Sequence, residues 1–171
     1  TSKDSNQETE DRLNMIMQKN QLRKLYFEKR KNLANKAELD NQINDNLLKF
    51  ITEKKLKKIA LYYPVKGEID ILPLALKLAQ THTLCLPRID NQHIKFHLWH
   101  PADDLIIDER FGIKEPKENT EIIKPDIILC PLLAFDKQNH RLGYGGGFYD
   151  RALVKFPEAI KIGIAYQFML T

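Results

Sequence analysis

The sequence predicts a single α/β domain whose mostly parallel sheet is flanked by helices. Short apolar runs alternate with segments of helical periodicity, as is typical of strands buried between two layers of helices. The strongest run covers residues 126–131, and others begin at Ile59 and Leu84. With 171 residues, 43% of them hydrophobic, the chain suits one packed core, and no linker or internal repeat divides it.

Two helices are predicted before the first strand. Residues 1–10 are polar and lack apolar periodicity, so we expect a loose N-terminal arm followed by one domain over residues 11–171. A helix is expected over residues 11–33, which contain no Gly or Pro and carry a partial apolar stripe: Leu22, Leu25, Tyr26 and Leu33. In the second helix, apolar residues recur at steps of three and four: Leu39, Ile43, Leu47, Phe50 and Ile51.

The remaining elements follow an alternating order. Residues 59–63 predict a buried strand that ends at Pro64, and Asp70 can cap a helix that runs to residue 79. Residues 84–86 form a strand that Pro87 is expected to end, and residues 94–99 alternate like a half-exposed edge strand. Residues 100–124 are irregular. A helix over residues 148–156 and a strand over residues 162–165 complete the prediction.

Composition limits the function classes. A net charge of +4 is too small an excess to indicate a nucleic-acid partner, and it suits polyanionic ligands equally well. No apolar run reaches the roughly 18–20 residues that cross a bilayer, and the polar start is not a signal peptide. We therefore expect a cytoplasmic protein without a membrane partner. Cys85 and Cys130 lie in apolar runs and are expected to be buried, reduced thiols, while the five histidines show no zinc-site spacing.

A glycine-rich segment between a predicted strand and helix is the main candidate site. Residues 143–147 contain four glycines, and such a run can direct several backbone N–H groups at one anion. The helix dipole and Arg141 would add positive charge, and Asp150 could hold a magnesium ion that bridges phosphates. The spacing matches neither the phosphate loop of nucleotide hydrolases nor the dinucleotide fingerprint. The alternative interpretation is a flexible turn.

Residues 141–151, Arg-Leu-Gly-Tyr-Gly-Gly-Gly-Phe-Tyr-Asp-Arg, resemble the signature of the 5-formyltetrahydrofolate cyclo-ligase family, also called methenyltetrahydrofolate synthetases. Residues 19–23 resemble the family's N-terminal Lys-x-x-Leu-Arg, and residues 63–70 resemble its Pro-x-x-x-Glu-Ile-Asp stretch. Further matching stretches are residues 86–89, 111–116, 125–131, 134–136 and 162–166. The family continues with a segment containing His-Asp, so we expect this chain to lack the last C-terminal segment.

The resemblance implies an ATP-dependent enzyme that acts on small molecules as a monomer. ATP would phosphorylate the formyl oxygen of 5-formyltetrahydrofolate, and ring closure would give 5,10-methenyltetrahydrofolate, ADP and phosphate, with Mg²⁺ as cofactor. Such a reaction needs positioning and charge neutralisation, so no covalent nucleophile is expected. The implied fold is the one shared with sugar-phosphate isomerases and CoA transferases.

Site residues are carried over from the matching motifs. The implied ATP-binding residues are Lys19, Asn20, Gln21, Leu22, Arg23, Arg141, Leu142, Gly143, Tyr144, Gly145, Gly146, Gly147, Phe148 and Tyr149. The implied folate-binding residues are Tyr63, Glu68, Tyr144, Gly145, Gly146, Gly147 and Phe148. Asp150 is the implied magnesium ligand, with Asp136 a secondary candidate nearby. Phe111, Pro116 and Trp99 are candidates for the wall of the pterin slot.

Structural alternatives stand beside each of these roles. Lys19 and Arg23 lie four residues apart, so they share a helix face that is either a phosphate contact or a solvated surface. In the structural alternatives, Glu68 is an exposed loop carboxylate and Tyr63 packs at a strand end. Asp150 would then only interact favourably with the dipole of its helix. Two other functions also remain open. One is a sugar-phosphate or acyl-CoA enzyme that uses Glu68, and the other is an RNA-binding module built on the basic N-terminal helix.

Overall fold

A computed structural model describes the backbone of residues 2–171 and the side chains of residues 4–171. In chain order the elements are α1 (Ser2–Lys31), α2 (Lys36–Thr52), β1 (Lys58–Ala60), α3 (Leu72–Leu78), β2 (Thr83–Asp90), β3 (His93–Leu98), β4 (Ile106–Ile107), β5 (Lys114–Glu115), β6 (Ile127–Pro131), β7 (Ala134–Phe135), β8 (Arg141–Leu142), α4 (Phe148–Val154), β9 (Ile160–Ile164) and a 3-10 helix (Gln167–Met169).

One five-stranded sheet with the order β3-β2-β1-β6-β9 forms the centre of the fold. The pairs β1/β2, β1/β6 and β6/β9 are parallel, and only the edge strand β3 runs antiparallel, against β2. Two further pairs, β4/β5 and β7/β8, are short antiparallel ribbons beside this sheet. The predicted α/β fold with a mostly parallel sheet and a half-exposed β3 edge is therefore confirmed.

Two apolar layers enclose the sheet because alternate side chains of a strand point to opposite faces. In β6, Ile127 and Leu129 join the cluster that contains Leu47 and Ile51 of α2 and the buried side of α3. Ile128 and Cys130 face the other cluster, against α4. All five residues of β6 are buried, which explains why its sequence is a continuous apolar run rather than an alternating one.

Three local predictions are corrected. Residues 2–10 extend α1 instead of forming a loose arm, because no Gly or Pro interrupts residues 2–31; Thr1 lies outside the described residues. Leu22 and Leu25 are exposed, so only the C-terminal part of α1 docks, through Tyr26. Strand β2 continues through Pro87. Beyond Cys85, β2 pairs only with β3, so its other edge makes no strand hydrogen bonds and the missing N–H of proline is tolerated there.

The carboxyl ends of β1, β6 and β9 meet at one edge of the sheet, as parallel pairing requires. The loop after β1 carries Tyr63 and Glu68, and the chain after β6 leads through β7 and β8 into the glycine-rich segment. Ligands of open α/β sheets bind in the crevice outside this edge. Within the described chain, every helix is either too short or too polar to cross a bilayer.

Candidate active site

The glycine-rich segment connects β8 to α4 through a backbone that only glycine adopts easily. Gly145 has φ +101° and Gly147 has φ +70°, and Gly147 is the N-cap of α4. Because α4 has only seven residues, few peptide dipoles add up at its start. Most of the positive charge near this segment therefore comes from side chains.

Arg23 of α1 lies directly on the glycine-rich segment. Its Nε–H donates to the Gly143 carbonyl at 2.9 Å, and its Nη1 donates to Asn20 Oδ1 at 2.7 Å. A Cβ atom added to Gly145 would lie 3.5 Å from Arg23 Cζ, so the guanidinium and the backbone approach closely. The Lys19 side chain is exposed and makes no hydrogen bond or ion pair with the side chains that the structure describes. Gln21 and Leu22 are also exposed.

Arg141 lies on the other side of the segment. Its Nη2 donates to the Pro131 carbonyl at 3.0 Å, and its Nη1 pairs with Asp150 Oδ1 at 3.1 Å. A Cβ atom at Gly143 would come within 2.7 Å of Arg141 Nη2, so this position leaves no room for a side chain unless the arginine moves. Arg141 is largely buried and Asp150 is largely exposed, so the carboxylate is open to solvent.

Glu68 is buried beneath the glycine-rich segment. The Val65 N–H donates to its Oε1 at 2.8 Å, and the Tyr144 hydroxyl donates to its Oε2 at 3.0 Å. Burial raises the pKa of Glu68, and these two hydrogen bonds, together with the charges of Arg30 and Lys66, partly oppose that shift. The pKa of Tyr144 is also raised, by burial and then by the negative charge of Glu68.

Sequence reasoning missed Arg30, which bonds to Tyr144 and to the loop that carries Glu68. Its Nη1 donates to the Tyr144 hydroxyl and its Nη2 to the Lys66 carbonyl, each at 2.7 Å. Only 3% of its surface is exposed, although its charged neighbours Lys29 and Lys31 are both exposed. The sequence did contain a clue, because Arg30 follows Arg23 by seven residues. This spacing is about two helical turns, so both side chains lie on the same face of the helix.

Aromatic and basic side chains line the outer part of the crevice. Lys114 Nζ lies 5.1 Å from the centre of the Tyr63 ring, and the Phe111 ring meets Phe148 edge-on with the centroids 5.5 Å apart. The loop between β4 and β5 therefore lies next to the glycine-rich segment. Neither Lys114 nor this pairing of rings was predicted, because the irregular composition of residues 100–124 hides both.

Several weaker candidates have structural roles. Trp99 is 4% exposed and packs in the main core, so it is not a wall of the crevice. The Pro116 carbonyl accepts a hydrogen bond from Arg88, which ties β5 to β2. Asp136 accepts hydrogen bonds from the backbone N–H groups of Gln138 and His140 and closes a turn; the His140 N–H is the main cause of its lowered pKa. Leu142 and Tyr149 contribute their side chains to the two core layers.

A model of the 5-formyltetrahydrofolate cyclo-ligase family matches residues 15–170. The chain belongs to this family. A 5-formyltetrahydrofolate cyclo-ligase of Mycoplasma genitalium is 38% identical in a 162-residue alignment that covers 90% of this chain and 87% of the relative. The family and the fold expected from the sequence are thereby confirmed.

Two solved structures share the fold of this family member. The 5,10-methenyltetrahydrofolate synthetase of Aquifex aeolicus superposes with a TM-score of 0.77 at 37% identity, covering 89% of this chain and 79% of that one. The synthetase of Mycoplasma pneumoniae gives a TM-score of 0.69 at 34% identity, covering 90% and 88%.

The donor set of this cyclo-ligase family member fits a magnesium ion held largely by phosphate. Among the side chains that the structure describes, no group of three or more His, Cys, Asp and Glu residues could hold a metal alone. Mg²⁺ commonly binds proteins through one or two carboxylates and completes its shell with water and substrate phosphates. Asp150, largely exposed and beside Arg141, suits that role as a single ligand.

Proposed function

We propose that the chain catalyses the ATP-dependent conversion of 5-formyltetrahydrofolate to 5,10-methenyltetrahydrofolate, with release of ADP and phosphate. The observation that carries this proposal is the hydrogen bond from Tyr144 to Glu68. It joins the segment suited to phosphate with a buried carboxylate suited to a pterin. A nucleotide and a folate bound at these places would meet at the glycine-rich segment, as a transfer between them requires.

The phosphate half of the proposed site consists of the glycine-rich segment with Arg23 and Arg141. Transfer of the γ-phosphoryl group to the formyl oxygen breaks its bond to ADP and forms a new P–O bond. Charge on the transferred group is then best stabilised by fixed guanidinium and backbone N–H groups. Mg²⁺ held by Asp150 would neutralise further phosphate charge. Nitrogen 10 next attacks the activated formyl carbon and loses its proton, and phosphate leaves as the C–O bond breaks.

The folate half of the proposed site is built around Glu68. Each of its carboxylate oxygens accepts one hydrogen bond within the protein, and each can accept a second. Paired N–H donors on a pterin edge match such a carboxylate. Tyr63 of the same loop and the Phe111 and Phe148 rings next to the glycine-rich segment offer apolar surface, and Arg151 Cζ lies 5.0 Å from the Phe148 centroid.

The test is an absorbance assay of the whole chain. Folded protein, 5-formyltetrahydrofolate and MgATP should produce the methenyl absorbance with one ADP per methenyl group formed, and omission of ATP should abolish it. ATP hydrolysis without methenyl formation, or no absorbance change with verified folded protein, would contradict the proposal.

The sugar-phosphate or acyl-CoA alternative is not favoured. The family model that matches residues 15–170 is that of the 5-formyltetrahydrofolate cyclo-ligases, and a relative 38% identical to this chain carries the same name. We further propose that the protein acts as a cytoplasmic monomer on small molecules rather than on nucleic acid. Support for a reducing compartment comes from Cys85 and Cys130, which are both buried and free.

A further inference from the structure

Arg30 is a buried cation whose position has no explanation in core packing. Its guanidinium lies 5.2 Å from the centre of the Phe27 ring and 5.6 Å from that of Tyr144. Its guanidinium donates hydrogen bonds to the Tyr144 hydroxyl and the Lys66 carbonyl. Burying a charge is costly unless its donors are used, so this arrangement is informative. Both acceptors belong to segments that flank Glu68.

The chemistry of the donors fixes the direction of the hydrogen bonds. Arginine has only donors, so the Tyr144 oxygen must accept from Arg30. The single hydroxyl proton of Tyr144 is then directed to Glu68 Oε2. Because the Val65 N–H donates to Oε1, both Glu68 oxygens act as acceptors. The chain from Arg30 through Tyr144 to Glu68 therefore has one polarity, and that polarity favours the carboxylate form of Glu68.

We propose that Arg30 is a positioning residue of the folate subsite, which fixes Tyr144 as a donor to Glu68 and so keeps Glu68 oriented and able to accept from the pterin. This inference rests on the proposed function and adds to it a residue remote from the signature motif. Arg30 also holds the loop after β1, through Lys66, at a set distance from the glycine-rich segment. The same contacts thus align both halves of the crevice.

A dependence on pH distinguishes this role from simple support of the fold. The titratable and charged groups that face Glu68 are Arg30 from α1, Lys66 from its own loop, Tyr62 after β1, Tyr144 from the glycine-rich segment and Tyr149 from α4. The pKa values of the three tyrosines are raised, chiefly by burial, so these groups stay neutral near pH 7. Lys66 and Arg30 are then the cations that favour the Glu68 carboxylate.

Loss of Arg30 should raise the pKa of Glu68 further. Burial already raises it, and removing the Arg30 charge and the fixed Tyr144 donor removes two effects that lower it. As the pH falls, Glu68 would therefore become protonated at a higher pH in the variant than in the wild type. A defect in folate binding should accordingly be largest at low pH and shrink as pH rises. A defect caused only by poor docking of α1 would not follow pH in this way.

The experiment compares Arg30→Gln and Tyr144→Phe with the control Lys31→Gln, which removes the same charge from an exposed neighbouring position. The KM for each substrate and kcat are measured from about pH 6 to 9, and folding is checked by thermal unfolding. Both variants should raise the KM for 5-formyltetrahydrofolate roughly tenfold or more at low pH, since a hydrogen bond to a charged group is lost. The KM for ATP should change less than about twofold. The control should behave like the wild type.

Further outcomes decide the inference in either direction. The double variant should be little worse than either single variant, because both changes interrupt one chain of hydrogen bonds. Additive or pH-independent losses, or a wild-type folate KM in Arg30→Gln, would overturn the positioning role. If Arg30→Gln does not fold, Tyr144→Phe at an exposed ring carries the test.

The proposed function can be refuted separately from the role of Arg30. Wild-type protein that binds the folate in calorimetry but forms no methenyl product would refute the reaction, and the ratio of folate Kd values between wild type and variants would still decide the role of Arg30. Wild-type protein that binds no folate would overturn both.

Discussion

Arg23 offers the sharpest test of the phosphate half of the site. We predict that Arg23→Gln lowers kcat/KM for ATP by roughly 10- to 100-fold. The substitution removes the charged donor that lies 2.9 Å from the Gly143 carbonyl, and a glutamine side chain is shorter and neutral. A hydrogen bond to a charged group contributes about 1.5–3 kcal/mol, and each 1.36 kcal/mol corresponds to a factor of ten in rate. Since Arg23 is half-buried rather than enclosed, solvent screening favours the lower part of that range.

The assay is steady-state turnover with ATP varied at saturating folate, and then the reverse. The folate KM should change less than about twofold, because the guanidinium lies on Gly143 and Gly145 and not on Glu68. Lys24→Gln is the matched control, since Lys24 is the exposed neighbour on the same helix and carries the same charge. An equal loss in the control would mean that bulk charge, not this contact, is what matters. A wild-type ATP response in Arg23→Gln would refute the assigned phosphate contact.

Three other substitutions test the metal, the backbone and the fold. Asp150→Asn should keep the thermal unfolding temperature but raise the Mg²⁺ concentration for half-maximal turnover roughly tenfold; an unchanged Mg²⁺ response would refute the ligand assignment. Gly145→Ala should destabilise the protein by about 1–3 kcal/mol, because φ +101° is strained for alanine, and should also weaken ATP binding through Arg23; unchanged stability and ATP KM would contradict this. Glu115→Gln should lower the unfolding temperature by several degrees, because it leaves the half-buried Arg88 charge without its buried anionic partner; no shift would contradict a stabilising pair.

The parallel strands were predictable because burial on both faces makes their sequences continuous apolar runs. This holds for β6, where every residue is buried, and for the start of β2. The extent of β2 was not predictable, since whether Pro87 is tolerated depends on which neighbour pairs beyond Cys85. Helix α1 posed the opposite difficulty. Its first residues have no apolar side to bury, so periodicity gave no sign of a helix there, although no residue breaks it.

Part of the candidate site could be proposed from the sequence because several of its residues lie in one contiguous motif. Residues 141–150 come together by chain connectivity alone, whereas Glu68 and Arg23 reach them only through the tertiary fold. Arg30 was hidden because one sequence shows charge but not burial. A basic residue in a run of lysines has the same composition signal whether it is solvated or enclosed. Trp99 shows the reverse error. It was a candidate for the wall of the pterin slot, but its side chain packs in the core.

The spacing of the two arginines in α1 explains how one helix can organise both halves of the crevice. Arg23 and Arg30 are seven residues apart, which is about 10.5 Å along a helix of 1.5 Å rise per residue. Arg23 bonds to the Gly143 carbonyl, and Arg30 bonds to the side chain of the next residue, Tyr144, which reaches away to Glu68. The rigid helix therefore sets the separation between the proposed phosphate contact at Arg23 and Glu68, the proposed folate ligand. Since Tyr26, between the two arginines, is buried in the main core, that separation is tied to the packing of the sheet rather than to the flexible glycines alone.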